Sequence, residues 1–168
     1  MTNETAGIAE KNEVLITRII NAPRQLVYDC WTQAEHLKRW YAPNNCTCLF
    51  TKIDIKIGSG YHGAIIHSDD GRRNWFYAVF KEIDPPKKLV FTLARADEHG
   101  NHLSPRDAGM PHEWPDITVV TLTFEDLDPG KQTKFTLHQT VDLDLATRIG
   151  AYPSWLQMLD RLETLIVK

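Results

Sequence analysis

Residues 22–43 read APRQLVYDCWTQAEHLKRWYAP, a stretch with the spacing of two short consecutive helices. Pro23 suits a first helical turn, where its missing N–H leaves no hydrogen bond unmade. Leu26, Val27, Cys30 and Trp31 recur at helical spacing and form one apolar stripe. Glu35, Lys38 and Arg39 belong to a wet face, while Leu37, Trp40 and Tyr41 anchor a second short turn that Pro43 stops. Before this pair, Val14 to Ile20 alternates apolar and polar residues and predicts a strand.

Beyond Pro43 the pattern changes from helical spacing to a series of strand-length runs with turn chemistry between them. Leu49–Ile57 ends at Gly58-Ser59-Gly60, Tyr61–His67 at Ser68-Asp69-Asp70-Gly71, and Asn74–Ile83 at Pro85-Pro86. Leu89–Arg95 leads into a polar loop over 97–116. Ile117–Glu125 and Thr133–Val141 flank Asp128-Pro129-Gly130. Such short connections favour an antiparallel meander over crossover units. A final amphipathic helix carries Leu145, Ile149, Leu156, Leu159, Leu162, Leu165 and Ile166 on one face. Pro153 interrupts it. Either the helix starts there or, as the helical spacing of Ala146–Tyr152 favours, it starts near Asp144 and kinks one turn before Trp155.

The helix pair resembles the Aha1-like (activator of Hsp90 ATPase homologue 1-like) family of the START/SRPBCC polyketide-cyclase superfamily. The matching residues are Ala22-Pro23, Val27-Tyr28, Trp31-Thr32, Glu35-His36-Leu37 and Arg39-Trp40-Tyr41-Ala42-Pro43. Further matches are Ser59-Gly60, Ile83-Asp84-Pro85-Pro86 with Leu89-Val90-Phe91, the strand Thr118–Phe124, and Trp155 with Leu159 and Leu162. Ala42 and Ser154 stand where glycine is common in the family. The resemblance implies an α+β helix-grip (START/Bet v 1-like) fold: a curved antiparallel sheet of about seven strands around a long C-terminal helix, with two short helices after strand 1. It covers residues 13–168 as a single domain; residues 1–12 read as a loose leader.

Composition narrows the function. A net charge of −3 over 168 residues lacks the basic excess of a general nucleic-acid binder. No apolar run reaches the ~18 residues that suggest membrane insertion, and the N-terminus has no secretory signal pattern. Three cysteines, an odd number, fit a reducing cytoplasm. Cys46 and Cys48 are spaced C-x-C without a second pair to complete a zinc site. His99 and His102 lie in the polar loop with no rigid element to converge ligands, so no metal and no cofactor is expected. There is no nucleophile elbow, P-loop or dinucleotide fingerprint.

A curved sheet gripped by one helix leaves room for a cavity, and alternation nominates its lining. Val120, Leu122 and Phe124, then Phe135, Leu137, Gln139 and Val141, then Leu89, Phe91, Leu93 and Arg95 are the expected inner rows. Arg95 and Gln139 end apolar rows, at a pocket mouth or beyond it in solvent. His62 and Ala64 stand where the family often carries large aromatics; either they face inward and leave room, or a register shift puts His62 outside. Periodicity does not choose between the Trp75-Tyr77-Val79 and Phe76-Ala78-Phe80 faces. His67 and His138 are expected to face outward. Trp40, Trp155 and Met158 belong to helices that face core or ligand, and Trp114 sits in a loop long enough to act as a lid. The candidate cavity set is therefore Trp40, His62, Tyr77, Phe91, Arg95, Trp114, Gln139, Trp155 and Met158, with no catalytic residue named.

The expected function is binding of a small apolar or aromatic molecule. A cavity enzyme of the polyketide cyclase or hydrolase type is one alternative the resemblance implies. An Hsp90-linked co-chaperone or stress protein is another, though that activity needs a second, chaperone-docking domain for which the few residues before the first strand leave no room. Exposed strand edges allow a homodimer.

Overall fold

The computed structural model describes residues 11–166. The expectation for residues 1–12 falls almost wholly outside them. Strand β1 (Glu13–Ile20) is followed by α1 (Arg24–Thr32) and α2 (Ala34–Trp40). Then come β2 (Cys46–Ile53), β3 (Gly60–His67), β4 (Arg73–Asp84), β5 (Lys88–Ala96), the short β6 (His102–Leu103), β7 (Thr118–Asp128) and β8 (Gln132–Asp142). Two helices, α3 (Leu143–Arg148) and α4 (Ala151–Ile166), close the chain. All pairings are antiparallel, in the order β1-β8-β7-β5-β4-β3-β2, with β6 paired to β5. This is the expected α+β grip. β2 begins three residues earlier and ends four earlier than the alternation suggested, and β6 lies inside the segment read as loop.

Local chemistry sets the helix boundaries. Pro23 is the N-cap of α1, with φ −62° and ψ 145°. Gln33 is at once the C-cap of α1 and the N-cap of α2, and its extended backbone turns the chain between them. At the C-terminal end the expected kink one turn before Trp155 is instead a full break at Ile149-Gly150. Asp142 caps α3 by accepting from the Leu145 amide at 3.0 Å, and Gly150, at φ +92°, ends that helix. A side chain is strained at this φ, so glycine is where the chain turns. Pro153 then falls in the first turn of α4, where no N–H is needed.

The core is aromatic. Trp31 packs edge-on against Trp40 with centroids 4.6 Å apart, and stacks with Phe135 at 5.8 Å. Tyr61, Phe80 and Phe91 continue the cluster across β3, β4 and β5. Each of these side chains is fully buried, and aromatic pairs in such geometries contribute about 0.5–1.5 kcal/mol beyond their area. Trp40 Nε1 donates to the Cys30 carbonyl at 2.9 Å, and the Tyr61 hydroxyl donates to the Trp31 carbonyl. Trp31 Nε1 has no partner among the described residues. Helices α1 and α2 thus plug one end of the concave sheet, and Trp40 and Phe91 belong to the plug.

Helix α4 crosses the remaining concavity. Trp155, Met158, Leu159 and Leu162 are buried beneath it. Arg18 of β1 ties it down by donating to Asp160 at 2.7 Å, to Glu163 at 2.8 Å and to the Leu156 carbonyl at 3.2 Å. On the other side Arg161 donates to the Ala42 carbonyl at 2.6 Å, fixing the turn that follows α2. The helix is held along both flanks, so the space beneath its N-terminal half keeps a defined shape.

Candidate functional site

The inner rows of β5, β7 and β8 are as alternation predicts: Val120, Leu122, Phe124, Phe135, Leu137, Gln139 and Val141 are buried under the helices. On β4 the inner face is Phe76, Ala78 and Phe80, so Tyr77 faces outward. On β3 Tyr61 is the inner residue and His62 turns to the outer face, together with Ala64. Gly63 shares the inner face with Tyr61 and Ile65. A Cβ there would run into the Leu49 carbonyl oxygen of β2, so this step of the ladder admits no side chain and the bulky inner positions are Tyr61 and Ile65.

Between the aromatic plug and the far end of the grip lies an open pocket of about 410 Å³. Phe76 of β4 and Leu93 of β5 form its floor, Trp155 and Met158 of α4 its roof, and Met110 and Trp114 of the 104–117 segment its outer wall. Five of the nine nominated residues meet here: Arg95, Trp114, Gln139, Trp155 and Met158. Trp40 and Phe91 are enclosed in the core with no exposure. His62 and Tyr77 border a separate outer-face groove with Thr51, His99 and Gly100. Sequence reasoning passed over Ile65, Asn74 and Thr118, and left Phe76 as one of two possible faces; all four also line the pocket. The turn at Gly150 and the residues Ala151 and Ser154 complete it.

The polar groups divide into those already spent and those left over. Gln139 is only 2% exposed. Its Oε1 accepts from Trp155 Nε1 at 2.9 Å and its Nε2 donates to Thr118 Oγ1 at 3.0 Å. Thr118 in turn donates to the Leu93 carbonyl at 3.3 Å. This chain of bonds satisfies each buried group and fixes the indole of Trp155 in the roof. Gln139 is a brace for the pocket wall.

Arg95 differs. Its Nε donates to the Trp75 carbonyl at 3.1 Å. Among the described residues neither terminal nitrogen has a hydrogen bond, and no carboxylate lies within ion-pair distance. Burial lowers the pKa of its guanidinium, and an arginine side chain still keeps its charge near neutrality.

His67, expected outward, lines the pocket instead. It sits at the last residue of β3, where Asn74 Nδ2 donates to its Nε2 across the hairpin at 2.9 Å and the Arg72 guanidinium lies 3.3 Å from both ring nitrogens. Cys46 Sγ approaches its Nδ1 at 3.7 Å. Cysteine, histidine and amide in a row resemble a thiol-nucleophile arrangement, but burial pushes the Cys46 thiol pKa up, which keeps it protonated and unreactive. On the outer face His62 is equally engaged. Its Nε2 donates to the Asp97 carbonyl at 3.0 Å, Thr51 bonds Nδ1, and Trp75 stacks on the ring at 5.2 Å. It pins the start of the long loop to the sheet.

That loop is braced at its end too. His102 bonds Asp116 at 2.8 Å and Tyr77 at 3.0 Å, and Met110 and Trp114 donate their amides back into local turns. Among the described residues no three His, Cys, Asp or Glu side chains cluster as metal ligands, and no helix is long and apolar enough to cross a membrane.

Residues 21–166 match the family described as activator of Hsp90 ATPase homolog 1-like protein. No curated protein sequence matches the chain significantly. Among solved structures, a protein from Arthrobacter aurescens superposes with a TM-score of 0.76 at 20% identity, covering 92% of this chain and 85% of the other. A Staphylococcus epidermidis protein gives 0.74 at 22% identity, with 93% and 90% covered. A protein from Chromobacterium violaceum gives 0.71 at 19% identity, with 92% and 96% covered. At these identities the likeness is one of fold.

Proposed function

The chain belongs to the activator of Hsp90 ATPase homolog 1-like family, and from that premise we propose that it binds a small apolar or aromatic molecule in the pocket beneath the first turns of α4. The observation that carries this reading is a roughly 410 Å³ space walled by Phe76, Leu93, Met110, Trp114, Trp155 and Met158. Small-molecule sites are typically concave, mostly apolar and about 300–1,000 Å³, with few oriented polar groups. Aromatic and Met side chains give a large contact area, and Met adapts to irregular shapes.

The binding residues are Trp114, Trp155 and Met158 for the apolar body, with Gln139 holding Trp155 and Arg95 facing a polar end. Burying a two-ring aromatic here removes apolar surface at about 25 cal/mol per Å², less the ordering cost of association. Dissociation constants in the micromolar range are the expectation.

The test uses N-phenyl-1-naphthylamine, a neutral apolar fluorophore that brightens on leaving water. The wild-type protein should bind it at one site and quench tryptophan emission. Ala151→Trp fills the space at the first, half-buried residue of α4 and should abolish binding without unfolding the chain. Equal binding by that variant would place the fluorophore elsewhere and sink the proposal.

A further inference from the structure

The pocket contains positive charge and no negative charge. Arg72 and Arg95 line it; no aspartate or glutamate does. Arg72 pairs at 3.7 Å with the exposed Asp70, which lies outside the lining. Arg95 rises from the inner row of β5 beside Leu93, half-buried, with Nε fixed on the Trp75 carbonyl and both terminal nitrogens without a partner among the described residues. The remaining polar lining does not compensate it. Gln139 and Thr118 are spent on each other and on Trp155, and Asn74 on His67. The 16-residue α4 also begins at this wall, where Gly150 and Ala151 line the pocket, and the first turn of a helix carries partial positive charge.

A guanidinium out of water without a counter-ion is unfavourable, and a half-buried one is strengthened as an anion receptor by the lowered dielectric. With Nε engaged, the two terminal nitrogens form a planar pair that matches the two oxygens of a carboxylate.

We infer that the ligand of this pocket is an apolar carboxylic acid, its carboxylate paired end-on with Arg95 and its hydrocarbon or aromatic body lying between Trp114, Trp155 and Met158. The inference rests on the pocket's being the binding site, and it adds the charge of the guest and the residue that reads it. Arg72 and the start of α4 contribute field without direct pairing. The amide of the same shape offers Arg95 one neutral acceptor in place of two anionic oxygens, so the acid is selected over its amide.

The experiment compares 1-naphthylacetate with 1-naphthylacetamide, which share shape and differ in charge, by calorimetry and by displacement of N-phenyl-1-naphthylamine. Wild-type protein should bind the acid about tenfold more tightly, the factor expected for one charge-assisted hydrogen-bonded pair. Added salt should weaken the acid and leave the amide unmoved. Arg95→Gln should bring acid and amide to the same affinity, and Arg95→Lys should restore part of the preference. Equal binding of acid and amide by the wild-type protein overturns the inference and leaves the pocket in place. A preference that survives in Arg95→Gln overturns the assignment to Arg95. Failure of all three probes removes the pocket reading and this inference together. Should Arg95→Gln fail to fold, the wild-type ratio, its salt dependence and the lysine variant decide the question.

Discussion

Replacing Gln139 by Leu tests the brace that shapes the pocket. The substitution keeps roughly the same bulk and deletes both polar ends of a residue that is 2% exposed. Two bonds go, those from Trp155 Nε1 at 2.9 Å and to Thr118 Oγ1 at 3.0 Å. Their consequences differ. Thr118 still donates to the Leu93 carbonyl, so its hydroxyl stays satisfied. The Trp155 N–H becomes a buried donor without an acceptor, at a cost of about 1–3 kcal/mol. A net loss of about 2 kcal/mol follows, which for a domain of this size lowers Tm by roughly 4–8 °C. Thermal and urea denaturation of Gln139→Leu, Trp155→Phe and the double variant form a cycle. The phenyl ring that replaces the indole has no N–H to strand, so the double variant should lose about 1–2 kcal/mol less than the sum of the singles. Strict additivity would refute the reasoning, because it would mean that the amide and the indole do not act on one another.

Trp31 offers the converse case. Its unpaired Nε1 makes Trp31→Phe cheap, within about 1.5 kcal/mol of wild type, since the lost volume is offset by removal of a buried orphan donor. Trp31→Ala, which empties the middle of the aromatic cluster, should cost about 3–5 kcal/mol in the same denaturation assay. Gly63→Ala should destabilise by about 2 kcal/mol or more, because its Cβ meets the Leu49 carbonyl of the neighbouring strand and β2 must shift; an unchanged urea midpoint would count against the close approach. Burial pushes the Cys30 and Cys48 thiols up to about 12. Both should therefore resist Ellman's reagent at pH 8 in the folded protein and react rapidly in guanidinium. Asp97 is held below its ordinary value of 3.8, chiefly by the Asn101 amide, then by the Asn101 side chain and the His99 amide. A depressed carboxylate stabilises above its unfolded pKa and stops doing so as pH falls through the lower folded value. Hydrogen exchange at Asn101 should stay protected near pH 5 and accelerate below pH ~3.8, and Asp97→Asn should remove that pH dependence.

Strand number, the helix pair and the grip were legible because each rests on local chemistry. Pro23 and Pro43 bracket the helices, and the apolar period changes from 3.6 to 2 just after them. The inner rows of β7 and β8 were readable for the same reason: from Thr118 to Phe124 and from Thr133 to Val141 one face is buried at every second residue, so alternation is clean. β3 and β4 were harder, because both of their faces carry bulky residues. The long loop, pinned by His62 and His102, covers part of the outer face, and a strand covered on both sides has no polar row to mark it. His67 follows from the same choice of face, since with Tyr61 and Ile65 inward the alternation carries His67 inward too. The break at Gly150 is hidden because Pro153 is the louder signal, although a glycine past the last turn is the commoner helix stop.

Taken alone, the amino-acid order determined which segments coil, which extend and which residues must leave water, since periodicity and turn chemistry act over a few neighbours at a time. It nominated Arg95, Trp114, Gln139, Trp155 and Met158 without the means to bring them together. They come from β5, the long loop, β8 and α4, as much as 63 positions apart. Only packing decided that Trp40 and Phe91 fill the grip while these five border what is left open. Whether a concave sheet is filled or hollow depends on summed side-chain volumes meeting from several elements at once, and no window of local sequence contains that sum.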